Sequence, residues 1–498
     1  MPKTSYYRRC ACKEVKIDDF GAPILKADGT PEMRQLGAQC PDLKKKAHGR
    51  WYFQVELEPD AAGNRQRVRR GGFRTKAKAE EEAEKVWNDA QHGVDVQSNE
   101  TVEQYLTAWL KGKRNLARYT YSNYRDDINN YLIPHLGRYR LRDLRLRHLD
   151  AMYDAIQKEN DKRLQQHALA KQASEECAAR KRDWQSAPPG TAGRRELRLA
   201  WHAANEARLA ARRGLRKPVG PATQQRINTT LSSALSSAVA RQLITRNWAK
   251  LVELPAAKKP KALIWTDERV DAWRKSGIRP SSVMVWTPEQ TGRFLDATAS
   301  DRLHSLWLVL VFLGLRRGEA CALTWSEVNL SVGWLRVSAQ VVAVDRETYT
   351  EQPKADSVRT MSISVEMVRA LRAWKARQQY ERAAMLREGA WVESDLVFTK
   401  ENGEGYHPLE LYRAFQRVIK IHDLPPIRLH DLRHGSATLS LLGGNDIKVV
   451  QARLGHSRRS ITSDTYTSVM PQLMRAEAEN TMSVVPRARR SPGLARDL

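Results

Sequence analysis

Leu313–Gly314–Leu315–Arg316–Arg317–Gly318–Glu319–Ala320, continuing to Leu323–Thr324–Trp325, puts an arginine at the end of a run, 301–313, that is apolar enough to be a buried helix. Glu319 stands three positions after Arg316, so its carboxylate can hold the guanidinium while the remaining N–H fork faces phosphate oxygens. Alone, a helix-terminal salt bridge explains this stretch better. A second stretch, Leu429–His430–Asp431–Leu432–Arg433–His434–Gly435, sets His430 and Arg433 three apart on one helical face, where an imidazole and a guanidinium address the same anion. Next, Asn445 precedes Ile447, Val450 and Leu454 at core spacing, and Gly455 closes that helix as a C-cap. His456 follows directly, and Tyr466 stands further on within Ser463–Asp464–Thr465–Tyr466–Thr467.

Upstream of these stretches, Thr287–Pro288–Glu289–Gln290 reads as a helix start, with a capping box and proline at the first helical position. Between them, alternation at Leu335, Val337, Ala339 and Val341, and again from Val358 to Ile363, predicts strands. From Val365 to about Met482 the pattern returns to helices. Residues 99–251 read as helical throughout, with apolar stripes at Val102, Tyr105, Leu106, Trp109 and Leu110, then at Tyr121, Tyr124, Ile128 and Leu132, then at Ile227, Leu231, Leu235 and Val239. Inside this segment, 157–217 is charged, Ala-rich and broken by Pro188–Pro189–Gly190, which predicts an inserted helical hairpin, a solvated arm being the alternative. Pro255, Lys258, Lys259 and Pro260 mark a linker over 252–286. At the amino end, strand-forming Trp51 to Leu57 and basic Arg65 to Arg70 flank a turn-like Asp60 to Asn64, and a helix follows from Lys76 to Asp89. The expected class is mainly α with small β-sheets (α+β).

Across 498 residues, 84 Lys and Arg against 57 Asp and Glu leave a net charge of +27, which points to a polyanionic partner, most often nucleic acid. Charge alone equally fits a ribosome-associated or anionic-membrane protein. The charge is concentrated: Arg65, Arg67, Arg69, Arg70 and Arg74 follow one another with no carboxylate between them, a band suited to phosphates, with a charge-protected edge strand as the alternative. Residues 207–252 hold nine Lys or Arg and no acid. No apolar run approaches the ~20 residues of a membrane span, and five cysteines are no disulfide framework, so a reducing cytoplasm is expected. Cys10-x-Cys12, Cys40 and His48 are a candidate zinc set, but Cys-x-Cys is tighter than the usual structural zinc spacing; free thiols are favoured and no metal is assigned.

Taken in order, Arg316, His430-x-x-Arg433, Leu454–Gly455–His456 and Tyr466 resemble the tyrosine recombinase (phage integrase) family over about 287–480. The resemblance implies a three-part architecture: a β-sheet/helix arm-type DNA-binding domain at 1–98, a helical SAM-like core-binding domain at 99–251 carrying the insertion 157–217, the linker 252–286, a mixed helical catalytic domain with a small β-sheet at 287–483, and a basic tail at 484–498. It implies a site-specific DNA recombinase that integrates or excises a mobile element, such as a viral genome, through a 3′-phosphotyrosyl intermediate. Tyr466 would be the nucleophile; a phenol with pKa about 10 needs a proton acceptor and a strongly positive site. Arg316 and Arg433 would bind the non-bridging oxygens, His430 would assist, and His456 would donate a further hydrogen bond. Lys354, in Gln352–Pro353–Lys354–Ala355 between the strand signals, matches the family's hairpin lysine and would protonate the departing 5′-oxygen, since ammonium can release a proton. Glu319 would orient Arg316.

With no carboxylate cluster suited to two metals, catalysis free of metal, ATP and cofactor is expected. The resemblance further implies double-stranded DNA partners at core-type and arm-type sites, a homo-tetramer on synapsed sites joined through Val469, Met470, Leu473 and Met474, and no membrane. An accessory DNA-bending or directionality protein is a candidate further partner, and the implied location is the bacterial cytoplasm at the nucleoid. Two other readings are a type IB topoisomerase, disfavoured by the arm-type domain and carboxy-terminal helix, and a catalytically silent DNA-binding regulator, disfavoured because all six site positions hold competent residues.

Overall fold

The computed structural model describes residues 4–45, 47–59, 65–91, 96, 98–345, 347–353 and 357–455, and the chain divides into two compact units, Met1–Ala257 and Lys258–Leu498. In the first, β1 (Thr4–Val15), β2 (Met33–Gly37), β3 (Arg50–Leu57) and β4 (Gln66–Phe73) form an antiparallel sheet in the order β2-β1-β3-β4. Strand alternation sends Phe53 and Val55 of β3 and Val68 of β4 inward, where α1 (Lys76–Gln91) covers them with Ala79, Ala83 and Val86. On the outer face Tyr7 stacks on Tyr52 at 5.8 Å, and only glycine fits at Gly71, where a Cβ would stand 1.7 Å from the Tyr52 ring.

The rest of this unit is helical: α2 (Val102–Lys111), α3 (Arg118–Asp127), a wider turn at Ile128–Leu132, α4 (Ile133–Leu136), α5 (Leu146–Ser186), α6 (Ala192–Arg212) and α7 (Pro221–Ala240). Thr101 and Gln104 cap α2 reciprocally, and the predicted apolar stripes meet in one core around Leu106, Ile128, Leu132, Leu149, Ile227, Leu231 and Leu235. The stretch 157–217 forms the outer part of α5 together with α6, the two packed side by side with Trp184 stacked on Trp201 at 4.9 Å. Helix α6 buries no residue, whereas the outer part of α5 buries Asn160, Ala170 and Cys177.

The second unit takes in most of the stretch read as a linker. Within 252–286 lie β5 (Ala262–Ile264), α8 (Asp267–Ser276) and β6 (Val283–Val285); β5 and β6 pair in parallel, and Trp265, Met284 and Trp286 enter the main core. Strands of three residues are too short to show alternation, so the prolines and lysines before them dominate the sequence signal. The unit continues with α9 (Pro288–Ala297), whose Thr287–Gln290 capping box forms as the sequence predicts, α10 (His304–Leu308) widening through Val309–Leu313, and α11 (Arg317–Ala322). Then come β7 (Val328–Asn329), β8 (Trp334–Val337), a hairpin of β9 (Gln340–Val344) and β10 (Glu347–Glu351), and β11 (Arg359–Ser362), with sheet order β11-β8-β7 beside the separate hairpin. The alternation read through Leu335 to Val341 is therefore two strands, broken between Val337 and Gln340. Helices α12 (Val365–Arg387), α13 (Pro408–Ile421), α14 (Asp431–Leu442) and α15 (Ile447–Leu454) complete the described part.

Two glycines set the placement of α11. Gly314 ends the preceding helix at φ +67°, and a Cβ there would stand 2.8 Å from Leu454 and 3.0 Å from Ser436 Oγ. At Gly318 a Cβ would meet the Val341 carbonyl at 2.4 Å, so α11 lies directly on β9. Gly314→Ala is expected to destabilise the second unit by about 1–3 kcal/mol through overpacking. Urea denaturation should show this as a lower transition midpoint, whereas an unshifted midpoint would contradict the contact.

Candidate catalytic site

The geometry begins with a carboxylate that has no exposed surface. Glu319, in the first turn of α11, accepts from Arg316 Nη1 at 2.7 Å and from the Arg316 backbone N–H at 2.8 Å. From the other side Arg359 of β11 forks onto the same carboxylate, at 2.7 Å through Nη2 and 3.1 Å through Nη1. Burial pushes the Glu319 carboxyl up, but the hydrogen bonds and charges of Arg359 and Arg316 outweigh it and hold its pKa below the ordinary range. Arg316 keeps 35% of its side-chain surface open to solvent, while Arg359 keeps 7%.

Arg433, on α14, is almost wholly buried and donates through Nη1 to the Gly314 carbonyl at 2.7 Å and through Nη2 to the Leu454 carbonyl. Arg359 Nε donates to the Arg453 carbonyl at 2.7 Å, and Arg453 in turn donates to the Phe312 carbonyl. The Arg316 turn, the start of α14 and the end of α15 are thus joined by one set of charged donors. His430 opens α14 beside Asp431, whose buried carboxylate is held by Arg428 at 2.6 Å. The His430 ring keeps an exposed edge yet is crowded: desolvation, then the charges of His434 and Arg433, pull its pKa down to about 4, with Asp431 opposing. At neutral pH this imidazole is uncharged and can accept a proton or a hydrogen bond.

Three further positions of the sequence reading, Lys354, His456 and Tyr466, lie outside the described residues, as do Val469, Met470, Leu473 and Met474. Arg359 is the site residue that the sequence reading passes over. Its signal was present: Arg359, Met361 and Ile363 share one register of the predicted strand, so a lone arginine falls on the apolar side.

Known proteins match this chain in the same places. The phage integrase family model matches residues 285–472, a phage integrase N-terminal SAM-like domain matches 101–156, and an arm DNA-binding domain matches 43–90, together more than half of the chain. The chain belongs to the phage integrase, or tyrosine recombinase, family. Among its relatives, a XerC-like tyrosine recombinase of Caldanaerobacter subterraneus subsp. tengcongensis is 29% identical over 39% of this chain and 52% of its own length. The ICEBs1 integrase of Bacillus subtilis is 25% identical over 51% of this chain and 63% of its own. The chain therefore spans between half and two thirds of these relatives. Among solved structures, the Tn1549 transposon integrase in complex with a circular intermediate DNA superposes with a TM-score of 0.49 at 17% identity, covering 76% of this chain and 99% of that one. A lambda integrase tetramer bound to a Holliday junction gives 0.45 at 16%, covering 84% and 93%.

In this phage integrase family chain the arginine band of β4 divides between two faces. Arg67 and Arg69 lie on the outer face, opposite Glu56 and Gln54 of β3; Arg69 Nε donates to Gln54 at 2.7 Å, and Glu56 lies 3.7 Å from Arg67 and 4.0 Å from Arg65. The cross-strand carboxylate that the local run lacks is thus supplied by pairing. Arg70 turns the other way, toward the Val96 carbonyl, and lines a cleft of about 560 Å³ within the first unit. Lys85, Arg142, Arg145, Arg147 and Arg246 line the same cleft, together with three carboxylates. Arg74 follows β4 in the turn before α1. Arg9, over the Tyr52 ring at 5.9 Å, adds to the outer face a cation that the sequence reading left out.

Glu319→Gln breaks a buried charged network and is expected to cost about 3–5 kcal/mol at neutral pH. Because the folded pKa is depressed, this stability is present above the unfolded carboxylate pKa of about 4.3 and is lost as pH falls through the folded value. Urea titrations should converge for wild type and variant at strongly acid pH and separate above it. His430 is also depressed, so its contribution is present above its unfolded pKa of about 6.5 and is lost as pH falls from there toward 4. His430→Asn should flatten the stability profile across that window; an unchanged slope would contradict the shift.

Proposed function

We propose that this chain is a site-specific DNA recombinase, an integrase that cleaves and rejoins DNA through a 3′-phosphotyrosyl intermediate. The observation that carries the reading is the joined set Arg316–Glu319–Arg359 and Arg433–Gly314–Leu454, which ties three arginines from distant parts of the chain together and leaves the Arg316 guanidinium partly open, with His430 beside Arg433 at the start of α14. An anion with two non-bridging oxygens fits between fixed, desolvated donors of this kind, and charge that grows on those oxygens in the transition state is stabilised without reorganisation.

Tyr466 attacks phosphorus through its phenolic oxygen; the P–O5′ bond breaks, the phenolic proton passes to an acceptor, and the departing 5′-oxygen receives a proton. Neutral His430 suits the acceptor or a phosphate contact, Lys354 the proton donor, and His456 a second phosphate hydrogen bond. Arg316 and Arg433 hold the non-bridging oxygens, and Glu319 positions Arg316. The covalent bond to Tyr466 conserves the phosphodiester energy, so rejoining to a new 5′-hydroxyl proceeds by the reverse step without ATP. The working partners are double-stranded core-type and arm-type sites and three further copies of the chain on synapsed DNA, with the helix around Val469 to Met474 as the exchanged contact. Arg65, Arg67, Arg69, Arg70 and Arg74 serve the arm-type site, and an accessory DNA-bending or directionality protein joins them. The cell compartment is the bacterial cytoplasm, at the nucleoid.

A double-stranded substrate carrying the element's junction sequence and a nick beside the crossover point traps the intermediate. Wild type should form an SDS-stable protein–DNA adduct, and Tyr466→Phe should bind the same DNA without forming it. Arg316→Ala and Arg433→Ala should slow adduct formation by roughly 10²–10³-fold or more. Adducts persisting in Tyr466→Phe would remove the nucleophile assignment. Supercoil relaxation without exchange between two sites would indicate a topoisomerase instead.

A further inference from the structure

We propose that Cys10, Cys12, Cys40 and His48 bind one structural zinc ion that fastens β1 and β2 to the start of β3. This inference is independent of the catalytic reading. The four ligand atoms all lie within 4.8 Å of one another, and His48 Nε2 stands 3.4 Å from both Cys12 Sγ and Cys40 Sγ. Tetrahedral zinc with its usual bond lengths holds sulfur and nitrogen ligands about 3.5–3.8 Å apart, so the two His48 separations already lie near that range and no ligand atom needs to move by more than about 1 Å.

The Cys-x-Cys spacing, tight for a loop, suits a strand. Residues two apart on extended backbone share a face, and the alternating exposure of β1 puts Cys10 and Cys12 on the same side. Cys40 caps the single helical turn Pro41–Lys44 that follows β2, and His48 stands just before β3, so the ligands come from three separate stretches of chain. Arg8, two residues before Cys10, fixes the connecting loop from the same strand: it donates to the carbonyls of Leu43 and Lys45, both at 2.8 Å, and to that of His48. All of the cysteines are free thiols, so no disulfide competes for these ligands.

The burial pattern says why an ion is needed here. Among the described residues from 4 to 50 only Gly37 and Cys40 are buried, while Ile17, Phe20 and Leu25 are exposed at 61%, 96% and 58%. The hydrophobic core of this sheet lies under β3, β4 and α1 and does not reach β2. A segment without apolar cover is a setting in which metal binding supplies folding free energy. Three thiolates and an imidazole select a soft, tetrahedral ion over magnesium or calcium, and four protein ligands leave no open position for catalysis. The bound set carries a net charge of −1, offset by Arg8 on the same side of β1.

The test uses the full chain, purified under reducing conditions without chelator and analysed by plasma mass spectrometry. About one zinc per chain is expected. The double substitution Cys10→Ser with Cys12→Ser should lower it about tenfold or more, whereas Cys177→Ser with Cys321→Ser should leave it unchanged. Because the first variant can misfold, wild-type protein stripped of metal is also titrated with Co²⁺. Thiolate-to-cobalt charge-transfer absorption and strong tetrahedral d–d bands are the expected result. Iron in place of zinc, zinc retained by the Cys10/Cys12 variant, or a wild-type chain that takes up neither zinc nor Co²⁺ would overturn the proposal.

Discussion

A buried carboxylate can stay ionised only if its surroundings replace the water it has lost, and Glu319 does so with two guanidiniums and a backbone N–H. That requirement fixes several elements at once. Arg316 must sit at the cap of α11 so that both its amide and its side chain reach the carboxylate, and β11 must run close enough for Arg359 to fork onto it. Gly318 lets α11 press on β9, and Gly314 lets the chain turn beneath Leu454. The half-open Arg316 guanidinium is thereby presented in one orientation, with its rotamer entropy already lost before any anion arrives.

So many arginines in one place would repel one another without compensation. The compensation comes largely from helix ends. The last carbonyls of a helix have no intrahelical partner and carry the negative end of its dipole. Arg433 donates to carbonyls at the ends of two helices, at Gly314 and Leu454; Arg359 donates to Arg453, and Arg453 to Phe312, each again in a last turn. The site is therefore electropositive and internally satisfied together. The donors are held by backbone, which is the condition under which electrostatic stabilisation of an anion needs little reorganisation.

How much of this was legible in the sequence follows from the range of each signal. Capping boxes, apolar stripes and the αL glycine at Gly455 are local and were readable; Thr287–Gln290 and the stripes of α2 and α7 form as their spacing predicts. The pairs Arg316–Glu319 and His430–Arg433 are local, but the meeting of the two pairs is legible only through family order, because a contact such as that of Arg433 with Gly314, more than a hundred residues away, leaves no periodic trace. Arg359 was missed since a charge on the inner face of a strand reads as an interruption until its partner is known. The stretch 252–286 reads as a linker because β5 and β6, which carry the following Trp265 and Trp286 into the core, have only three residues each, below the length at which alternation can be seen. The arginine run of β4 looks like one surface in sequence, but strand parity splits it, and Arg70 stands on the face opposite Arg67 and Arg69.

Strand parity also links the two ends of the first unit's chemistry. In β1 the residues alternate, with Arg8, Cys10 and Cys12 on one side and Tyr7 and Arg9 on the other. Tyr7 pairs across the sheet with Tyr52, and Arg9 rests over the same ring, so the outer face of β1 adjoins Arg69 and Arg67 through β3. A metal ion fixing the inner side of β1 fixes the pleat, and with it the direction of every outer side chain on that strand. Apolar packing reaches the inner side of β1 only at Tyr6, near its start, and does not extend to Cys10 and Cys12. Under the zinc proposal, the cationic, aromatic outer face of β1 is held in register from behind, and its side chains keep both a fixed direction and their exposure.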